Sequence, residues 1–256
     1  MSNERWTRNQ LMVAFHLYCQ LPFGRLHSRA PEIIELASLI GRTPSAVAMK
    51  LVNFASLDPI ITSSGRKGLS NASDADREIW NEFHKDWEKL ALESEQILSS
   101  LRGVDHTLTD DEVKDMVDYT GGTRATLVET RIKQTFFRRA VLSSYGGCCC
   151  ITGLSVTQLL NASHIVPWSV DRENRLNPSN GLCLSVLHDR AFDKGLLTVL
   201  PDLTIKVAKG LNEYGNDNTF IDAALLAYDG RKIRAPEKFY PRKDLLEYQN
   251  SKIFKS

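Results

Sequence analysis

The segment from Tyr145 to Thr198 limits the fold of this chain more than any other part. Before it, apolar residues recur at helical spacing over long stretches, whereas within it they form short runs separated by turn-forming residues. Runs this short are typical of a compact module of short strands and helices. The same segment concentrates the polar side chains that could carry chemistry.

Three polar clusters follow one another between residues 162 and 195. The first reads Ala-Ser-His-Ile-Val-Pro-Trp around His164, and the second reads Asn-Pro-Ser-Asn-Gly-Leu-Cys-Leu around Asn180. The third begins at His188 and reads His-Asp-Arg-Ala-Phe-Asp-Lys-Gly. Alone, His164 could be a core histidine, because apolar residues follow it.

These clusters resemble the HNH nuclease family, whose motif is His, then Asn, then His. The chain is most similar to a variant of the pattern S-H-I-V-P-W, N-G-L-x-L and H-x-x-x-F-D-x-G, and the similarity extends upstream from Gly153 to Arg131. The resemblance implies a ββα unit that holds one divalent metal ion, Mg²⁺ first and Mn²⁺ as the alternative. It also implies a metal-dependent DNA endonuclease.

The resemblance assigns a role to each motif residue. His164 would be the general base that activates water, since a histidine titrates near neutral pH. Asn180 would brace the loop or the base through its amide, and His188 would bind the metal through a neutral ring nitrogen. The chain departs from many HNH enzymes at Ser163, which stands where Asp or His often binds the metal. Asp193, with Asp189 as the second choice, is the expected replacement if the helix ends near Phe192.

The N-terminal half reads as helices, and the stretch from Glu32 to Leu57 reads as helix, short turn, helix. Ser45 and Lys50 are expected on the outer face of its second helix, where they could contact DNA. A structural or dimerising role is the alternative. One long helix is expected from Asp74 to Leu101.

Charge also varies along the chain. Its net charge is only +1, but two basic ends flank an acidic middle at residues 71–118. This distribution fits a protein that touches a polyanion with its ends, and it fits equally well a solvated acidic helix in an otherwise neutral protein. The basic stretch before the module is expected to contact DNA phosphates, although a solvated face is the alternative. Its candidate residues are Arg131, Lys133, Arg138 and Arg139.

The predicted fold class is therefore α+β: a helical N-terminal domain that resembles a helix-turn-helix, followed by a ββα-metal (HNH) nuclease domain. The expected boundaries are a helical domain at 1–105, a linker at 106–123 and a nuclease domain at 124–256 with its core at 145–198. Because cleaving both strands of a duplex usually needs two active sites, a homodimer is a reasonable inference.

The remaining sequence features argue against a secreted, a membrane-spanning or a disulfide-rich protein. No signal peptide or stretch of about 20 apolar residues is evident, so neither secretion nor a membrane is expected. Three of the five cysteines are consecutive, which favours a reducing cytoplasm over a disulfide framework. Cys150 and Cys183 are expected in the core rather than in a zinc site.

The predicted function is a DNA endonuclease, in restriction or defence against foreign DNA. A non-catalytic DNA-binding regulator and an RNA-directed nuclease are the alternatives.

Overall fold

The computed structural model describes residues 5–63, 72–103, 124–215 and 219–255. The chain forms two compact units, Met1–Arg139 and Ala140–Ser256. The division falls inside a helix, so the first 16 residues of that helix belong to the N-terminal unit. The expected linker at 106–123 lies outside the described residues. No helix in the described ranges combines the length and apolar character needed to cross a bilayer.

The described part of the N-terminal unit is helical. Its helices in chain order are α1 (Arg8–Gln20), α2 (Pro31–Leu39), α3 (Pro44–Ala55), α4 (Pro59–Ser63), α5 (Asp74–Phe83), α6 (Trp87–Arg102) and the first part of α7 (Arg124–Ser144). The expectation of a single helix from Asp74 to Leu101 is wrong, because one helix ends at Phe83 and the next begins at Trp87. Asp86 accepts a hydrogen bond from the Lys89 amide and starts a new helix.

The expected helix, short turn and helix are confirmed in α2 and α3. Each begins with a proline at its first position, and the Thr43 hydroxyl accepts from the Ala46 amide at the start of α3. Gly41 makes the turn at a φ of 66°, a conformation that favours glycine. Val47, Leu51 and Phe54, which recur at helical spacing along α3, are buried in the core of this unit.

Lys50 does not lie on the outer face of α3, so that expectation is wrong. Its ammonium group is 2.8 Å from the Asp76 carboxylate, and both side chains are buried. Burying an ammonium is tolerated only with a close counter-charge, which Asp76 provides. Ser45 is exposed as expected, next to the exposed side chain of Met49 on the same helix.

The C-terminal unit contains two small antiparallel pairs. Strand β1 (Leu160–His164) pairs with β2 (Gly181–Ser185), and β3 (Leu197–Val199) pairs with β4 (Ile205–Val207). Helix α8 (Val186–Asp193) follows β2 directly and packs on both β1 and β2, which gives a ββα unit. The described remainder includes α9 (Asn212–Gly215), α10 (Thr219–Ala224) and α11 (Lys243–Lys252). Strand β4 contains Ile205, and α11 contains the buried Leu245.

Gly195 joins the end of α8 to the C-terminal segment of the chain. Its φ is 68°, and its carbonyl accepts a hydrogen bond from the Lys255 amide at 2.9 Å. A Cβ at this position would collide with the backbone carbonyl of Ile253. Only glycine therefore allows the two backbone segments to approach each other.

We expect Gly195→Ala to destabilise the protein by about 2–4 kcal/mol, because the substitution combines a left-handed φ with a backbone collision. Thermal unfolding should show a drop in Tm of about 10 °C or more. Gly210→Ala is the matched control, since a Cβ there meets no atom within 4 Å. Equal Tm values for the two variants would contradict the role of Gly195.

Candidate functional site

His164 is the last residue of β1, and its ring is held by the loop that leads to β2. Its Nε2 lies 2.9 Å from the backbone carbonyl oxygen of Arg175. A carbonyl oxygen can only accept, so Nε2 carries the hydrogen and Nδ1 carries the lone pair of the neutral ring. The indole of Trp168 packs edge-on against the ring, with 5.6 Å between ring centroids. The contacts thus fix both the orientation and the tautomer of the imidazole.

Burial lowers the pKa of His164 below its usual 6.5. The hydrogen bond to the Arg175 carbonyl and the negative charge of Asp189 act in the opposite direction and offset part of the effect. The ring is therefore mostly neutral at pH 7 and can accept a proton.

Asn180 immediately precedes β2 and is fully buried. Its Oδ1 accepts from the Val166 amide at 2.8 Å, and its Nδ2 donates to the Val166 carbonyl at 3.1 Å and the Asn174 carbonyl at 3.2 Å. Its backbone carbonyl also accepts from the Ile165 amide, the residue after His164. Asn180 therefore ties together both ends of the loop that holds His164.

A further set of polar side chains shapes this loop, and sequence reasoning missed it. Asp171 accepts hydrogen bonds from the Glu173 and Asn174 amides, and the Asn174 Oδ1 accepts from Asn177 and from Arg242. Asp and Asn bond to nearby backbone in this way in turns. The spacing of these residues in the sequence is the signal that could have identified them.

His188 lies in the first turn of α8 and is buried. Its Nδ1 is 2.8 Å from the Ser185 hydroxyl, and its ring meets the Tyr228 ring edge-on at 5.6 Å between centroids. Burial lowers its pKa, and the carbonyl of Ala224 offsets part of that. Its Nε2 makes no hydrogen bond of normal geometry with the described residues.

Asp189, the next residue of α8, is the helix carboxylate whose charge acts on His164. It accepts a hydrogen bond from the Asn161 amide at 2.7 Å. The helix ends at Asp193 rather than Phe192, so Asp193 lies four residues from Asp189 on the same face. Burial and then the charge of Asp189 raise the pKa of Asp193. Asp189 thus interacts electrostatically with both His164 and Asp193, and Asn161 holds its carboxylate.

The remaining predicted residues lie elsewhere. The Ser163 hydroxyl is buried and has no hydrogen-bond partner among the described residues. Arg131, Lys133, Arg138 and Arg139 all belong to the N-terminal unit rather than to the unit that carries His164. Lys133 is engaged by Glu88 at 2.6 Å and by Glu129 at 3.7 Å, and Arg139 contacts Gln20.

The side chains around His164 do not by themselves form a complete site for a divalent ion. Within the described residues, no three His, Cys, Asp or Glu side chains stand close enough to form one. Mg²⁺ does not need one, because it keeps several waters and typically binds one or two carboxylates together with substrate phosphates. The repelling pair of Asp189 and Asp193 fits that pattern.

Cys150 and Cys183 are buried, as expected.

The comparisons with known proteins agree with the ββα architecture. Residues 149–200 match the family model described as HNH endonuclease, and this span includes β1, β2 and α8. A search of curated proteins found no match. The family description indicates a nuclease, that is, an enzyme that cleaves the backbone of a nucleic acid. The segment from residue 149 to residue 200 is therefore similar to the HNH endonuclease family.

Proposed function

We propose that this protein is a metal-dependent DNA endonuclease in which His164 is the general base. The observation that carries the proposal is the hydrogen bond from His164 Nε2 to the Arg175 carbonyl, inside a segment of the HNH family. This bond leaves the lone pair on Nδ1, where it can take a proton from an attacking water. A base held in one tautomer needs no rearrangement before the reaction.

Asn180 is a positioning residue in this proposal. Its side chain joins the Val166 backbone to the Asn174 carbonyl, and Arg175, the next residue along, supplies the carbonyl that orients His164. Loss of the amide would therefore act on the reaction through the base rather than through the substrate.

Asp189 and Asp193 are the residues that would hold the divalent ion, with Mg²⁺ or Mn²⁺ as the candidates. Asp189 is placed here instead of His188, the ligand that the family resemblance implies, because Mg²⁺ prefers carboxylate oxygens and the Nδ1 of His188 is already engaged by Ser185. A bound divalent ion stabilises charge on the scissile phosphate and supports the leaving 3′ oxygen. Asn161 holds the Asp189 carboxylate by donating to one of its oxygens.

The wider role in the proposal is cytoplasmic restriction or another defence against foreign DNA, and it rests on the family resemblance. A homodimer would supply two active sites for the two strands. The exposed Ser45 on α3 is a candidate for DNA contact by the N-terminal unit. Lys50 leaves this set because its charge is already paired.

The test of the proposal is cleavage of supercoiled plasmid by the purified full chain. Nicked or linear product should appear with Mg²⁺ or Mn²⁺ and disappear with EDTA, and an RNA substrate should compete poorly. The substrates should include unmodified and methylated plasmid and phage DNA. No cleavage of any of them with either metal would contradict the proposal and favour a DNA-binding regulator.

The pKa of His164 predicts the pH dependence of cleavage. Only the neutral imidazole can take a proton, so the rate should fall as pH drops through this pKa. Because burial lowers the pKa, the acid limb of kcat/KM should have its midpoint below pH 6.5. A cation bound nearby would lower the pKa further, so the sign is the same with metal present. Rates measured from pH 5 to 9 at constant ionic strength would test this, and a midpoint above pH 7 would contradict it.

A further inference from the structure

The side chain of Arg175 stands beside the candidate base, on the loop between β1 and β2. Its guanidinium lies over the Trp168 ring, with 5.3 Å between the guanidinium carbon and the ring centroid. The same indole packs edge-on against His164. Arg175 thus reaches the site twice: its carbonyl orients the imidazole, and its side chain stacks on the neighbouring indole.

The guanidinium of Arg175 has no counter-charge within the described residues. No carboxylate there lies within 4.0 Å of it, in contrast to Lys133 and Lys50, whose charges are paired. Its Nε is buried and has no hydrogen-bond acceptor among those residues. The residue as a whole is half-buried, so its terminal nitrogens can meet a ligand. A permanently charged, planar donor held in this way suits a phosphate group.

The distances place this charge within reach of the backbone being cut. The separations of 5.6 Å and 5.3 Å share the Trp168 ring, so the imidazole and the guanidinium can be no more than about 11 Å apart. One DNA strand carries a phosphate about every 3.4 Å along the helix axis. The scissile phosphate and its neighbour both fall in this range when His164 faces the reacting bond.

We propose that Arg175 binds a DNA backbone phosphate at or next to the scissile bond, with Trp168 as the platform that holds its guanidinium. This inference rests on the proposed nuclease function and adds a phosphate contact to it. One loop residue then orients the base through its carbonyl and contacts the DNA backbone through its side chain. The contact positions DNA without reading sequence.

The test is DNA binding by the full chain at several salt concentrations in EDTA, where no cleavage is needed. Arg175→Gln should raise the Kd for a short duplex about tenfold at low salt. It should also reduce the slope of log Kd against log salt concentration by about 0.9. Arg175→Lys should retain the slope because it retains the charge. Arg172→Gln, on the same loop and exposed, removes the same charge and should change the slope little.

The alternative is that Arg175 acts only through its carbonyl or its packing. In that case Arg175→Gln would lower kcat and leave the salt slope unchanged, which would overturn the inference. Equal losses of slope in Arg175→Gln and Arg172→Gln would also overturn it, because the loop would then contribute only diffuse charge. Binding is measured separately from cleavage, so a chain that binds with the expected slopes but never cuts would contradict the nuclease function alone.

Discussion

His164→Ala is expected to reduce metal-dependent plasmid cleavage by about 10²–10⁴-fold, the usual contribution of a positioned general base. The variant loses the only group in the proposal that takes a proton from water. It keeps the loop network of Asn180, because no hydrogen bond of that side chain involves the imidazole. Removing the bond to the Arg175 carbonyl should cost about 1 kcal/mol of stability, too little to unfold the protein. The measurement is the single-turnover cleavage rate at saturating enzyme with Mg²⁺ and with Mn²⁺.

The controls separate catalysis from binding and folding. DNA affinity of His164→Ala should stay within about twofold of wild type, since a neutral ring contributes no counter-charge to phosphate. His27→Ala removes an exposed histidine of the N-terminal unit and should leave the cleavage rate unchanged. Cleavage by His164→Ala at the wild-type rate would exclude His164 as the base. Loss of binding together with cleavage would mean that the residue acts on folding or on DNA contact.

The ββα unit was expected from the resemblance to the HNH family, which rests on three motifs of consecutive residues. The short apolar runs of the same segment by themselves indicated only a compact module of short strands and helices. The break near His84 is also local, but the apolar stripe of α5 continues into α6, so periodicity alone cannot locate it. Asp86 as a helix cap is the signal in the sequence that would have distinguished two helices from one.

The parts that the sequence did not predict depend on contacts between distant residues. Lys50 has the spacing of a surface residue, and only the approach of Asp76, 26 residues later, explains its burial. The same holds for Asn161 and Asp189, which are 28 residues apart. A motif names residue types in order but does not say which way each side chain of a helix faces. For this reason the proposal assigns the metal to Asp189 rather than to His188, its neighbour in sequence.

Asp189→Asn is expected to weaken Mn²⁺ binding at least tenfold and to lower the cleavage rate about a hundredfold. The change keeps the shape of the side chain and its contact with Asn161, but it removes the charge that would face the ion. It also removes the repulsion on Asp193, so the pKa of Asp193 should move back toward its usual value. Calorimetric titration of the DNA-free protein with Mn²⁺ measures the first effect without any dependence on catalysis.

Two matched variants decide between the acidic pair and His188. Asp193→Asn makes the same change one turn along the same face and should weaken Mn²⁺ binding less, because Asp193 is more exposed than Asp189. His188→Gln removes the imidazole whose ring packs against Ser185 and Tyr228, so it should lower Tm but leave the affinity for Mn²⁺ near that of wild type. If instead His188→Gln abolishes Mn²⁺ binding while Asp189→Asn retains it, the ion is held by His188 and not by Asp189. The charge of Asp189 would then act on His164 only as a modulator of its pKa.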